Sequence, residues 1–290
     1  MRGKTAVVTG STAGIGKETA RGLARLGARV VLVGRDPERA RRAAAELARD
    51  TGNEQVESVA ADVTCLAGMR ELAARVAERC DGVDVLINNV GVNGPVRQET
   101  ADGVETMFAA HVLAPFALTR LLLPLLRAGA GGRVVNITGG IPGGPIELDN
   151  LQAERRFLGW TFTHYNHTKT ILMAMSRRFA RVLEGSGVTV NVAYPGHGDT
   201  PMNRSLPIRA FPYAYRPVVP VVKLVVPLLF GDLSKPSRSS VHLAGSAEVA
   251  GVSGAYFDQR CRRRPWPASV LDERTCDVVW ELCERLGPAR

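Results

Sequence analysis

The chain has 290 residues, 45% hydrophobic and 22% charged, which excludes disorder and suits a single α/β domain with a full core. Its formal net charge is +9, and 32 of the 37 basic residues are arginines. These are strewn along helical segments among Glu and Ala, which argues against a nucleic-acid surface and leaves only a mild attraction for anionic ligands.

Strand and helix signals alternate along the chain. Short β-branched runs stand at Ala6–Thr9, Arg29–Val33, Val56–Asp62, Val83–Asn88, Arg133–Thr138 and Val188–Ala193. Helix-period segments lie between them at Ile15–Leu26, Pro37–Asp50, Leu66–Arg79, Val104–Leu126 and Thr168–Leu183. A further strand is expected at Gly254–Phe257 and a last helix at Asp272–Leu286. Such alternation predicts right-handed βαβ units, and the continuously apolar strands predict helices on both sheet faces. The expectation is a Rossmann-type, doubly wound parallel sheet in three α/β/α layers, one dinucleotide-binding domain over 1–290. Residues 196–250 would form a variable substrate-binding lid within it. Leu206–Phe230 is apolar but broken by five prolines, short of the ~20 apolar residues of a spanning helix. With Trp160, Phe162, Phe211, Tyr213 and Tyr215 it predicts a greasy pocket for a lipophilic small molecule, though such aromatics also simply pack cores.

The five cysteines form no Cys-x-x-Cys pair, so no metal site or disulfide framework is expected. Reduced thiols and the lack of a signal-peptide pattern point to a cytoplasmic protein.

The first strand runs into Gly10-Ser11-Thr12-Ala13-Gly14-Ile15-Gly16 and then a helix. Glycines between a strand and a helix allow a tight turn, close approach to a pyrophosphate and close helix–strand packing. The N–H groups at the helix start then face the phosphates. At the end of the second strand, an acid would hold ribose hydroxyls and an arginine a 2′-phosphate. Val33-Gly34-Arg35-Asp36 places Arg35 there, with Asp36 as a helix N-cap before Pro37. NADP (NADPH) is expected over NAD.

Thr9-Gly10-x-x-x-Gly14-Ile15-Gly16 resembles the phosphate loop of the short-chain dehydrogenase/reductase family, and other segments match in order. These are Asp62-Val63, Asn88-Asn89-Val90-Gly91, Tyr165-x-x-x-Lys169, and Pro195-Gly196 with Thr200. Thr12–Ala20 and Gly251-Val252-Ser253-Gly254 bring the chain closest to the retinol-dehydrogenase-like branch. The resemblance implies that Asp62 and Val63 lie beside the adenine. It implies that Asn89 and Gly91 line the cofactor site, and that Pro195, Gly196 and Thr200 hold the nicotinamide carboxamide. Tyr165 would be the general acid/base of a carbonyl/alcohol oxidoreductase, with Lys169 lowering its pKa from the same helix face. A homodimer or homotetramer is implied by the same resemblance.

Two positions depart from the family. Its Asn-x-Ser-Ser is Asn136-Ile137-Thr138-Gly139 here, so the usual hydroxyl is missing at Gly139. Thr138 can replace it only if the backbone shifts, because successive strand residues face opposite ways. The family's catalytic Asn is His111, which either joins a proton relay or packs within its helix. These departures leave two alternatives to redox catalysis: a non-redox reaction such as cyclisation, isomerisation or elimination, and a non-catalytic NADP-binding protein.

Overall fold

The structure is a computed structural model that describes residues 1–129, 131–141, 143–157, 161–208, 216–220 and 231–288, the side chains of 161 and 162 excepted. Residues 209–215 and 221–230 of the expected lid, with Phe211, Tyr213 and Tyr215, lie outside the described residues, as do Trp160 and the Phe162 side chain.

Among the described residues eight strands form one sheet, the first six built from runs rich in β-branched residues: β1 (Thr5–Thr9), β2 (Arg29–Gly34), β3 (Val56–Ala60), β4 (Val85–Asn88), β5 (Arg133–Ile137), β6 (Thr189–Ala193), β7 (Tyr256–Phe257) and β8 (Arg263–Arg264). Their order is β3-β2-β1-β4-β5-β6-β7-β8. All pairs are parallel except the β7–β8 hairpin. The chain reverses its direction of travel across the sheet between β1 and β4. That switch point opens a crevice at the carboxyl ends of the strands.

The pleat shares the strands between two cores. Val7 faces a core with Leu72, Phe108, Phe116, Leu172 and Phe179. Its neighbours Ala6 and Val8 face a second core with Leu23, Leu47 and Leu243. The first core lies under α3 (Leu66–Ala77), the segment from α4 (Thr106–Phe108) to α6 (Leu123–Ala128), and α7 (Thr161–Val182). The second lies under α1 (Gly14–Arg25), α2 (Pro37–Thr51) and α9 (Ser234–Gly245), which follows the short α8 (Pro201–Ser205). After β8 come α10 (Ala268–Leu271) and α11 (Glu273–Leu286), the latter capped by Asp272, which accepts Thr275 N–H.

The expected single helix Val104–Leu126 is instead broken. It runs as α4, a π-turn over Ala109–Leu113, α5 (Ala114–Leu121) and α6. Proline explains both interruptions. It donates no N–H, and its ring crowds the carbonyl four residues back. Pro115 acts on His111 inside the π-turn, and Pro124 acts on Arg120 just before the break at Leu122. In the other direction, α7 begins at Thr161, seven residues before the expected Thr168, so Tyr165 and Lys169 share one helix. The β8 strand, unforeseen, is only two residues long.

Candidate active site

At the switch point lies a cleft of about 530 Å³. The phosphate loop forms one wall. Gly10 and Gly14 adopt φ of +62° and +61°, where a side chain is strained. A Cβ on Gly16 would overlap Asn89 Nδ2 and the Gly10 carbonyl oxygen, so helix α1 sits against the sheet only because residue 16 has no side chain. Asn89 Nδ2 donates to the Thr9 and Gly10 carbonyls at 3.1 Å each and ties the loop to β4. Ala13 precedes α1 without a side-chain cap, and no acidic residue stands in the first turn. The opening N–H groups of a 12-residue helix are thereby left for an anion. The loop fits a dinucleotide pyrophosphate.

Ser11 corrects the expectation for this loop. It is fully buried and does not line the cleft. Its hydroxyl donates to the Val8 carbonyl at 2.7 Å and accepts the Val33 N–H at 3.0 Å, so it pins the loop to β2. Thr12, Ile15 and Gly14 do line the cleft.

Arg35, Asp62 and Val63 line the adjoining wall. Gly34 is necessary there, since a Cβ would overlap Thr12 Cγ2. Asp36 caps α2 by accepting the Arg39 N–H at 3.0 Å. Asp62 Oδ1 accepts both the Thr64 N–H (3.0 Å) and its hydroxyl (2.7 Å), which shapes the turn after β3.

The opposite wall holds Gly91, Thr138, Gly139, Tyr165, Lys169, Pro195, Gly196 and Thr200. The cleft thus gathers sequence positions from 10 to 203. Tyr165 is 9% exposed and Lys169 only 2%. Lys169 Nζ donates to the Ile137 carbonyl at 2.9 Å and lies 5.9 Å from the Tyr165 ring centroid. Burial pushes the ammonium down to about 7 and the phenol up to about 12. The expected lowering of Tyr165 by Lys169 is not seen in this arrangement: burial, then the neighbouring Tyr194, raises the phenol.

Thr138 does not stand in for the missing serine. Its hydroxyl donates to the Lys169 carbonyl at 3.2 Å, fastening β5 to α7. A Cβ on Gly139 would lie 2.8 Å from Tyr165 Oη, so the phenol occupies the space a larger residue would claim.

His111 is fully buried beside Tyr165, edge to face at 5.1 Å between centroids. Its Nε2 accepts the Val92 N–H at 3.0 Å, which leaves Nδ1 to donate to Thr168 Oγ1 at 2.8 Å. The Thr168 hydroxyl in turn donates to the Tyr165 carbonyl at 3.0 Å. Burial, then Lys169 and His164, holds the imidazole well below its usual range, so it is neutral. With Nε2 taken by the Val92 N–H and its Nδ1 proton given to Thr168, it offers no relay to the cleft, which it does not line. The alternative of a packed helix residue is the one observed, with the added task of anchoring Val92.

Sequence reading missed Asn166 and Asn93, which line the cleft, and Glu105 and Tyr194, which do not. Asn166 Oδ1 accepts the Ile141 N–H at 3.1 Å and shapes the turn at Gly140, whose φ is +67°. The Gly139-Gly140 pair was the available signal for that turn. Glu105 caps α4 by accepting the Met107 and Phe108 N–H groups, and it meets His164 Nε2 at 2.9 Å in the protein interior. Tyr194, at the end of β6, donates to the Gly140 carbonyl at 3.2 Å. Asn93 also lines the cleft, and nothing in its sequence context marks it. Among the described residues no cluster of His, Cys, Asp or Glu suits a metal, and no helix is long and apolar enough to cross a membrane.

Comparison with known proteins agrees with this geometry. Residues 4–147 match the short chain dehydrogenase family model. The chain is 35% identical to human retinol dehydrogenase 13 over 285 residues, covering 98% of this chain and 84% of that protein. It is 35% identical to human dehydrogenase/reductase SDR family member 13, covering 99% of this chain and 74% of that one. Among solved structures, the Pseudomonas aeruginosa RhlG/NADP active-site complex superposes with a TM-score of 0.68 at 28% identity, covering 89% and 95% of the two chains. A Rossmann sheet, a glycine cradle that fits a nicotinamide dinucleotide and near-full-length relatives lead to one conclusion: the chain belongs to the short-chain dehydrogenase/reductase family, within its retinol-dehydrogenase-like branch, and is an oxidoreductase.

Proposed function

We propose that the protein uses NADP(H) to interconvert a carbonyl and an alcohol on a lipophilic small molecule. The observation that carries this reading is Tyr165, whose hydroxyl lies in the cleft wall 3.9 Å from where a Cβ on Gly91 would stand, on the same helix as Lys169. The nicotinamide, when bound, supplies or accepts the hydride. Tyr165 gives its proton to the carbonyl oxygen or takes one from the alcohol. Held protonated at neutral pH by burial, the phenol suits the reductive direction. Lys169, close to half-protonated near neutrality, is the residue whose charge stabilises the phenolate left behind.

Arg35 supports NADP over NAD. It stands in the cleft wall at the end of β2, where a planar guanidinium can stack on adenine and bond a 2′-phosphate. The neighbouring Asp36 is engaged as an N-cap and does not take the ribose hydroxyls. The lipophilic substrate is supported by Val92, Ile141 and Met202 in the cleft lining and by relatives named retinol dehydrogenases.

A second reading, proton transfer without hydride transfer, is favoured by one fact: Gly139 offers no hydroxyl and that of Thr138 is bonded to the backbone. Nicotinamide absorbance separates the two. Purified protein is given NADPH with retinal and a panel of lipophilic aldehydes, ketones and quinones, beside Tyr165→Phe. Substrate-dependent NADPH oxidation that disappears in Tyr165→Phe is expected. Product formed at constant absorbance supports the second reading, and NADPH binding with no turnover of any substrate defeats both.

A further inference from the structure

We propose that the side-chain amide of Asn93 holds the substrate oxygen, the task for which residue 139 has no side chain; this rests on the oxidoreductase reading above. Asn93 lines the same cleft as Tyr165 and Gly139. Its Nδ2 and Oδ1 are both shut from solvent, and neither has a hydrogen-bond partner among the described residues. The other asparagines of the cleft are engaged: Asn89 with Thr9 and Gly10, Asn166 with Ile141, and Asn203 with Gly198. A buried amide left unpaired destabilises a fold by about 1–3 kcal/mol, so a partner arriving during the reaction cycle is the economical explanation for keeping one here.

The segment is placed for that purpose. His111 Nε2 holds the Val92 N–H at 3.0 Å, immediately before Asn93. A Cβ built on Gly91, two residues earlier, would stand 3.9 Å from both His111 Nε2 and Tyr165 Oη. His111 is thus a positioning residue that fixes the Asn93 segment against the tyrosine. Its neutral, doubly engaged ring makes that anchor insensitive to protonation.

The chemistry matches an amide. Nδ2–H donates to the carbonyl oxygen of an aldehyde or ketone, and Oδ1 accepts from the hydroxyl of the alcohol. In the reductive direction the nicotinamide, when bound, would supply a hydride to the carbonyl carbon, the C=O π pair would move to oxygen, and Tyr165 would protonate that oxygen. Asn93 gains and loses no proton. It acts as a preorganised donor to developing negative charge, a role in which loss of one such donor typically lowers kcat by about 10²–10³-fold.

The test uses Asn93→Leu, close in shape but without polar atoms, and Asn93→Ala as a second variant. Retinal and the most active aldehyde of the panel serve as substrates, with the wild type and Tyr165→Phe alongside. For Asn93→Leu the expected result is a kcat about 10²-fold lower, unchanged NADPH affinity by fluorescence, and a Tm of the cofactor-free protein equal to or above wild type. A lower Tm in both variants shows a structural amide and overturns the proposal. So does a kcat within about threefold of wild type. Activity lost in Tyr165→Phe but kept in Asn93→Leu removes this inference alone. Activity kept in Tyr165→Phe, or absent from the wild type throughout the panel, removes the oxidoreductase reading and this inference with it.

Discussion

At the phosphate end of the cleft, a Cβ on Gly16 would run into Asn89 and the Gly10 backbone. At the tyrosine end, the same construction on Gly139 meets only the hydroxyl of Tyr165, at 2.8 Å. The first glycine is required by main-chain geometry, for which no side-chain rearrangement compensates. The second faces a side chain, that of Tyr165, and no backbone. Around it, Thr138 bonds a helix carbonyl, His111 anchors Val92, and Asn166 shapes the next turn. A glycine hemmed in by main chain therefore tolerates no side chain, whereas one that faces a side chain leaves room for its neighbour to adjust.

The contrast breaks at the tyrosine end if Tyr165 is dispensable. Tyr165→Phe removes only the oxygen to which the proposed function gives the acid/base role, and kcat/KM is expected to fall by about 10²–10⁴-fold while NADPH affinity holds. Stopped-flow and fluorescence titration read the two separately.

The phosphate end is sharpened by Gly16→Ala. The added methyl overpacks a rigid contact worth about 1–3 kcal/mol, so NADPH affinity is expected to fall by roughly 10- to 100-fold in a fluorescence titration. Retained affinity would show that α1 can withdraw from β4.

A smaller effect is expected within the same wall from Arg35→Ala. Charge-assisted hydrogen bonds contribute about 1.5–3 kcal/mol, and exposure reduces this, so NADPH KM should rise on the order of tenfold with NADH KM unchanged. Equal losses for the two cofactors would mean that Arg35 does not read the 2′-phosphate.

A further effect concerns stability. Burial lowers Lys169 from 10.5 to about 7, so between those values the unfolded chain binds the proton more strongly than the folded one. The cofactor-free protein should therefore gain stability as pH rises from about 7 towards 10.5 and show no further change from this group below 7. Lys169→Met should flatten that rise and lift Tm at neutral pH, measured by thermal unfolding across pH. A wild-type Tm that falls with rising pH over this window would show that the ammonium is paired and not merely buried.

Much of this was legible beforehand, and the misses have physical causes. The strands from β1 to β6 and helices α1, α2 and α3 follow from periodicity and glycine placement, with ends shifted by a residue or two. The long helix expected at Val104–Leu126 failed because an apolar period carries no record of what Pro115 and Pro124 do to the carbonyls of His111 and Arg120. Ser11 was placed on the ligand by its position in a glycine loop, but its hydroxyl found two backbone partners in β1 and β2 first.

What the sequence by itself determined is the dinucleotide cradle and the pairing of Tyr165 with Lys169, because both rest on short-range geometry: a strand–glycine–helix turn and a four-residue helical step. What only the tertiary structure decided is the electrical state and the duty of the polar groups around them. Whether Lys169 is charged, whether His111 relays a proton or anchors a loop, and which amide is left without a partner depend on burial and on neighbours such as Val92 and Thr168, 19 and 57 residues from His111. Hydration lost and hydrogen bonds gained belong to the assembled fold, and no local pattern encodes them.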